Sequence, residues 1–460
     1  MSDDPPVSLW PEPTALGPLT DLYQLTMMAG YVANGMDELP ATFELFVRRL
    51  PKGRTYLVFA GLEQALRDLL GLAFSPGQID ALQRWPVFDA VDPSFFSWLG
   101  RLRFRGDVWA VPEGTVVFEG EPLVRVQAPL ALAQWVETFL LASLGYPTSV
   151  ASKAARIVAA AGGRSLYDFG ARRAPGPHAS LLAARAAYPA GFDGTSNVEA
   201  SLRIGIPCAG TMAHSWVQSF DQEAQAFSAF AHLFPTASTM LVDTYDTARG
   251  VEHAGALDPP VRAVRLDSGD LLTLSRAARA FLDAHGRSAV RIFASGDLDE
   301  FQIARLLAGG APIDAFGIGT ELVTSRDAPA LAMVYKLVEL DGRGRIKLSS
   351  GKITYPRAKQ VYRTFGPDGR IARDTVTLVD EAAEGEPLLE HVVRGGVLEP
   401  LPRLGEVRDR CRAQLESLPP ELRGVEALST FRPTYSQAVR AVAEELAKPY
   451  REATRAPDET

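Results

Sequence analysis

Cysteine is almost missing from this 460-residue chain: two residues, Cys208 and Cys411, are too few for a disulfide framework or a structural zinc site. Long hydrophobic runs are missing as well. No apolar stretch reaches about 18 residues, so the sequence offers no candidate membrane span. The opening MSDDPPVSLWPEPTALGP is acidic and proline-rich, whereas a signal peptide begins basic and continues apolar. A soluble, cytoplasmic protein without membrane association is the expectation. Positive charge is outnumbered: 47 Lys and Arg against 55 Asp and Glu leave a formal net charge of −8, which argues against nucleic acid as a partner. Familiar catalytic signatures are absent too. There is no GxxxxGK[ST], the glycines of FGIGTEL do not extend to GxGxxG, and neither HExxH nor GxSxG occurs.

What the chain does contain is a recurring unit. Between Arg164 and Leu322 it passes seven times from a short apolar stretch into a polar, glycine-bearing or acidic end: SLYDFGARR, FDGTSN, IPCAGTMAHS, MLVDTYDT, VRAVRLDSGD, VRIFASGD and DAFGIGTEL. Helical segments such as Leu271 to His285 and Leu298 to Leu307 lie between most of them. A strand that ends polar and then enters a helix is the unit of a parallel α/β structure, and its repetition predicts a β/α barrel. Chemistry in that architecture gathers at the C-terminal ends of the strands, so these polar ends form one site.

At 47% hydrophobic residues the chain can bury more than one core, and two or three domains are expected. An N-terminal α/β domain spans 1–135 and is completed by 336–400. Within it, ATFELFVRRLP reads as a strand, YLVFAGLEQALRDLLGL as a strand entering an amphipathic helix, and VWAVPEGTVVFEGEPLVRVQAP as a small antiparallel sheet. The barrel-like catalytic domain spans 136–335 and opens with a long helix that Pro147 is expected to interrupt. Residues 401–460 form a helical C-terminal segment ending in the disordered-looking REATRAPDET. Only seven of the 47 basic residues are lysine. Four of those, Lys336, Lys347, Lys352 and Lys359, fall close together with Arg343, Arg345 and Arg357. This is either a solvated basic hairpin or a collar of cations around a phosphorylated ligand.

The barrel ends supply three carboxylate turns (VDTYDT, LDSGD, ASGD) able to hold Mg²⁺ or sugar hydroxyls, and small residues in GTM and GIGT whose N–H groups can meet phosphate oxygens. Arg172 and Arg265 can face a carboxylate or phosphate, and one histidine stands in GTMAHS. The set suits a phosphorylated sugar handled with Mg²⁺.

The ordered motifs TDLYQLTM, YDFGARR, DGTSN, GTMAHS, LVDTYDT, VRLDSGD and FGIGTEL resemble those of nicotinate phosphoribosyltransferases, over nearly the whole chain. The resemblance implies an α/β protein with the irregular β/α barrel of type II phosphoribosyltransferases. That barrel packs against a mixed α/β sheet domain built from both ends of the chain, with a helical C-terminal tail, in a homodimer with shared active sites. It implies transfer of phosphoribosyl from phosphoribosyl pyrophosphate to nicotinate, giving nicotinate mononucleotide and pyrophosphate for NAD salvage, driven by ATP through a phosphohistidine. Some relatives carry a cysteine-based zinc site; with these cysteines missing, no zinc is expected.

Carried over by position, the resemblance makes His214 the phosphorylated histidine. Tyr23 and Phe169 sandwich the pyridine ring, Tyr23 coming with Arg48 and Arg49 from the partner subunit. Arg265 lies near the nicotinate carboxylate with Thr211 close by, and Arg172, Asp267, Asp297, Gly319 and Thr320 surround the ribose, Mg²⁺ and phosphates. Lys336 and the lysines after it complete a phosphate collar. Taken without the motif, His214 would read as a satisfied core histidine, and Tyr23 and Phe169 as core packing. Nicotinamide phosphoribosyltransferases share the fold and the phosphohistidine, but have an aspartate where Ser196 stands in DGTSN; a hydroxyl there favours nicotinate. A non-catalytic barrel that senses a phosphorylated metabolite would have no need of His214. A glycosidase or aldolase barrel is a weaker reading of the same carboxylate turns.

Overall fold

The computed structural model describes residues 15–349, 354–427 and 429–453. Lys352, most of the acidic N-terminal stretch and the last seven residues of REATRAPDET fall outside them.

Two sheets dominate. The first is antiparallel and seven-stranded, in the order Arg343–Gly344, Met333–Leu340, Pro40–Val47, Pro122–Pro129, Asp107–Ala110, Glu390–Arg394, Val397–Leu398. Strands from early in the chain form its middle, and strands from beyond residue 332 flank them. The reason lies in the burial of Pro40–Val47, where Ala41 through Leu45 and Val47 are all buried. A strand buried on both faces, Thr42 and Glu44 included, must have neighbours on both edges and layers on both sides. Helices Leu22–Ala33, Leu62–Gly71 and Leu130–Trp135 contribute to the same core, and the Phe43 ring stacks on Tyr335 at 4.9 Å.

The second sheet is parallel and six-stranded, in the order Gly194–Thr195, Ser165–Asp168, Ala315–Ile318, Arg291–Ala294, Ala263–Leu266, Thr239–Leu241. A parallel bridge from Thr195 to Cys208 adds the seventh apolar-to-polar unit at one edge. The barrel is irregular: backbone hydrogen bonds do not join the Cys208 edge to the Thr239–Leu241 edge. Side chains close the mouth instead, because His214 Nδ1 lies 3.1 Å from Thr244 Oγ1 and Arg265 Nη1 donates to Thr211 Oγ1 at 2.7 Å.

Helix Glu137–Ala161 runs between the two layers without the interruption expected at Pro147. A proline in a helix costs about 3 kcal/mol through its lost N–H and its clash with the preceding turn. Here the eleven residues from Pro147 to Ile157 are all buried, which outweighs that cost. Gly61 (φ +91°) makes the close approach possible: a Cβ there would sit 2.9 Å from Pro147 and 3.0 Å from the Ser143 carbonyl. The tail is helical, as expected, with one short addition. Leu404–Glu416, Pro420–Arg423 and Gln437–Ala453 are helices, but Thr434–Tyr435 adds a parallel strand to the hairpin of Lys359–Phe365 and Ile371–Leu378. Two residues are too short a segment for periodicity to reveal. Among the described residues no helix is long and apolar enough to cross a membrane.

Candidate active site

Arg265 is the penultimate residue of the strand Ala263–Leu266, just before VRLDSGD turns, and its guanidinium is the hub of the barrel mouth. Nε donates to Ser295 Oγ at 2.8 Å, Nη1 to Thr211 Oγ1 at 2.7 Å and to the Met212 carbonyl at 3.3 Å, and Nη2 to Asp267 Oδ1 at 2.7 Å. Four of the five guanidinium N–H groups are thereby used, leaving one on Nη2. The side chain is only 12% exposed, so its charge acts at reduced dielectric.

Asp267 takes a second hydrogen bond from Ser295 on the same oxygen, while its backbone N–H donates to Asp243 Oδ2 at 3.0 Å. Burial alone would raise the Asp267 pKa. Arg265, the Ser295 hydroxyl and His214 outweigh it and hold the carboxyl below its ordinary range, so it is ionised at neutral pH. The loop Ser295-Gly296-Asp297 lies against this turn. Gly296 has φ +95°, and a Cβ there would sit 2.1 Å from the Asp267 carbonyl oxygen, so only glycine allows the two strand ends to touch. Asp243 also accepts from Ser268 Oγ at 2.6 Å through Oδ2, but its buried Oδ1 has no hydrogen-bond partner.

His214 opens the short helix His214–Gln218. Thr244 Oγ1 meets its Nδ1, which leaves Nε2 turned to Asp267 Oδ2 at 3.9 Å. The ring is 40% exposed and is therefore accessible. The Trp216 indole, donating to the Ala226 carbonyl at 3.0 Å, anchors this helix on Glu223–Leu233.

Phe169 follows the strand Ser165–Asp168, its N–H bonded to the Ile318 carbonyl at 2.8 Å and its ring stacked on Phe293 at 5.5 Å. The Arg265 guanidinium carbon lies 5.5 Å from the Phe169 ring centroid, an aromatic face beside a cation. Behind it Asp168 is buried, and burial raises its pKa despite hydrogen bonds from Thr195 Oγ1 and the Gly170 N–H. Ser196 is half-buried, with its N–H on the Asp168 carbonyl; among the described residues no hydrogen bond joins its hydroxyl to Arg265 or Thr211.

Of the residues singled out from sequence, the fold thus brings Phe169, Thr211, His214, Arg265 and Asp267 into contact. Arg172 lies exposed in the turn Ala171–Arg173, Asp297 is exposed at φ +41°, and Gly319 and Thr320 begin the short helix after Ala315–Ile318. Tyr23 and Lys336 form a separate group around Glu137. Lys336 Nζ lies 3.7 Å from Glu137 Oε1, the Gln24 and Gln134 amides donate to Oε2, and partial burial together with Glu137 raises the Tyr23 pKa. Lys359 does not face outward with a collar: it is buried, 2.8 Å from Glu44, with Nζ donating to the Tyr355 and Arg357 carbonyls. A cavity of about 270 Å³ in the sheet domain is lined by Arg48, Arg49, Thr354, Tyr355 and Lys359 among others, and by none of the barrel-end residues. Asp243, Thr244, Phe293 and Ser295 were not singled out from sequence. Each lies in one of the seven apolar-to-polar stretches, so the pattern marks the segment, although nothing in it ranks the residue.

The profile of the nicotinate phosphoribosyltransferase (NAPRTase) N-terminal domain matches residues 19–145, and that of the nicotinate phosphoribosyltransferase (NAPRTase) family matches residues 164–365. The chain is 50% identical over 415 residues to the nicotinate phosphoribosyltransferase pncB2 of Mycobacterium tuberculosis, covering 88% of each. It is 41% identical over 384 residues to the nicotinate phosphoribosyltransferase of Bacillus subtilis, covering 80% of this chain and 78% of the relative. The crystal structure of human nicotinic acid phosphoribosyltransferase superposes with a TM-score of 0.81 at 32% identity, over 93% of this chain and 100% of that one. Matched in both domains and across the barrel ends that carry Arg265 and His214, the chain belongs to the nicotinate phosphoribosyltransferase family.

Proposed function

We propose that this enzyme transfers the phosphoribosyl group of phosphoribosyl pyrophosphate to nicotinate, forming nicotinate mononucleotide and releasing pyrophosphate. The observation that carries the reading is Arg265. A guanidinium fixed on three sides by Thr211, Ser295 and Asp267, with one N–H left and an aromatic face beside it, suits a flat ring bearing a carboxylate. Phe169 sets the ring plane, with stacking worth about 0.5–1.5 kcal/mol beyond burial. The ring nitrogen then attacks C1 of the ribose as pyrophosphate leaves, through an oxocarbenium-like centre. The ionised Asp267 supplies negative charge next to that centre, while Arg172, Asp297 and the Gly319–Thr320 turn contact ribose and phosphates.

The orphaned Asp243 Oδ1 and the ionised Asp267 are hard oxygen donors suited to Mg²⁺. An ion brought in on the substrate's phosphates would need only one or two such carboxylates from the protein. Mg²⁺ would neutralise charge on the departing pyrophosphate. ATP coupling rests on His214. Thr244 Oγ1 engages Nδ1, and in the tautomer that carries its proton on Nδ1 the Nε2 lone pair is free to attack the γ-phosphorus of ATP, releasing ADP. This chemistry supports a place in NAD salvage. A product assay with nicotinate and nicotinamide in parallel, with and without ATP, tests the reading. Nicotinate should be strongly preferred and stimulated by ATP; equal kcat/KM for the two pyridines would sink it.

Within one chain Tyr23 belongs to the Glu137 group and not to the barrel mouth, and Leu19, Leu22 and Tyr23 are each nearly half exposed there. That supports a homodimer in which Tyr23, with Arg48, Arg49 and Lys336, completes the partner's site. Tyr23→Ala and His214→Ala proteins should each be severely impaired. After mixing and subunit exchange they should recover up to about one quarter of wild-type activity, because half the dimers are mixed and each then has one intact site of two. Exchange verified by mass spectrometry with no recovery would put both residues in the same chain's site.

A further inference from the structure

The helix Glu137–Ala161 carries a buried ammonium that the chemistry above does not use. Lys153 is 1% exposed, and its Nζ lies 2.6 Å from Glu300 Oε2, 3.0 Å from Asp327 Oδ1 and 3.8 Å from Glu321 Oε2. Glu300 is fully buried and also holds Arg156 Nε at 3.0 Å; Asp327 also takes Arg54 through Nε and Nη2. Two barrel-end loops meet at this one charge. Glu300 begins the helix that follows Ser295-Gly296-Asp297, and Glu321 and Asp327 belong to the segment that follows Gly319-Thr320. The second segment is pinned at further points on the same side: the Tyr146 hydroxyl donates to the Val323 carbonyl at 2.6 Å, and Arg54 Nη2 donates to Ser325 Oγ at 2.8 Å, with Ser325 at φ +42°.

Stability alone does not call for such a group, since a well-packed apolar side chain in place of a buried ion pair is often no less stable. A compact ammonium with three donors can serve carboxylates approaching from three directions, which neither methionine nor a planar guanidinium does. We propose that Lys153 is a positioning residue for phosphoribosyl pyrophosphate, setting the spacing between the Asp297 loop and the Gly319–Thr320 turn from behind. The inference rests on the reading of those two segments as the phosphoribosyl subsite.

Steady-state kinetics below the melting temperature test it, using Lys153→Met, the double variant Lys153→Met/Glu300→Gln and Asp327→Asn. The double variant removes the excess buried negative charge that the single change leaves beside Arg156, and the partly exposed Asp327 tolerates its substitution if the lysine variants fail to fold. The expected result is a KM for phosphoribosyl pyrophosphate raised by about tenfold to a hundredfold, the cost of a displacement on the order of 1 Å, with the KM for nicotinate within about twofold of wild type. Thr320→Val is the reference arm and should itself raise the KM for phosphoribosyl pyrophosphate. If it does so while the folded network variants keep the wild-type KM and lose only thermal stability, the subsite stands and Lys153 is merely structural. If Thr320→Val leaves that KM unchanged, the turn is not the subsite and the proposal falls with it.

Discussion

Arg265→Ala should lower kcat/KM for nicotinate by at least about a hundredfold, the largest loss expected from any single replacement at the barrel mouth. Losing one charge-assisted hydrogen bond costs about 1.5–3 kcal/mol, or roughly tenfold to a hundredfold. This change removes the contact to the substrate carboxylate and also frees Thr211, Ser295 and Asp267, which the guanidinium holds together. Arg265→Lys should rescue little, because an ammonium keeps the charge but cannot reach three partners in one plane. A pH signature accompanies the loss. Asp267 is held below its ordinary pKa chiefly by Arg265 against the opposing effect of burial, so without the arginine its pKa rises. The stability that ionised Asp267 contributes is present above the unfolded pKa and lost as pH falls through the folded one. In Arg265→Ala that contribution disappears and the acid limb of residual activity moves to higher pH. A loss shared equally by nicotinate and nicotinamide would mean that Arg265 shapes the loop and does not read the carboxylate.

His214→Ala should abolish labelling from radioactive ATP and all stimulation by ATP, leaving a slow ATP-independent transfer. In the wild type the label should be acid-labile and base-stable, as expected of a phosphorus–nitrogen bond. Phosphorylation adds a charge of roughly −2 beside Asp267, so it changes the electrostatics of the pyrophosphate subsite as well as the covalent state of the ring. Retained label in His214→Ala would show that a different one of the six histidines is the acceptor. Of the others, His253 is bonded through Nδ1 to Glu223 Oε2 at 2.9 Å and His391 through Nε2 to Asp107 Oδ1 at 3.0 Å.

Much of this was legible in the residue order. The strand-to-helix units of residues 164–322 announce themselves because buried parallel strands are short apolar runs and helices carry a longer period. Asp243, Thr244, Ser295 and Phe293 were illegible as individuals, because their significance is a contact with Arg265, Asp267, His214 or Phe169 from another strand end. Lys359 misled for the same reason: among nearby cations it reads as exposed, and only the packing of Glu44 beside it shows a buried pair.

By itself the sequence determined the parallel α/β architecture, the seven polar strand ends and the family, since local period and motif order survive without knowledge of contacts. The tertiary structure decided that strands from beyond residue 332 flank those of residues 40–129, that Pro147 sits in an unbroken helix, and that Tyr23 and Lys336 gather at Glu137, away from Arg265. It also decided that Lys153 lies behind two loops of the site. These outcomes depend on which distant surfaces are buried against each other. Burial can outweigh a proline's cost of about 3 kcal/mol, and it sets the partner of every buried charge, and neither effect is written in the neighbouring residues.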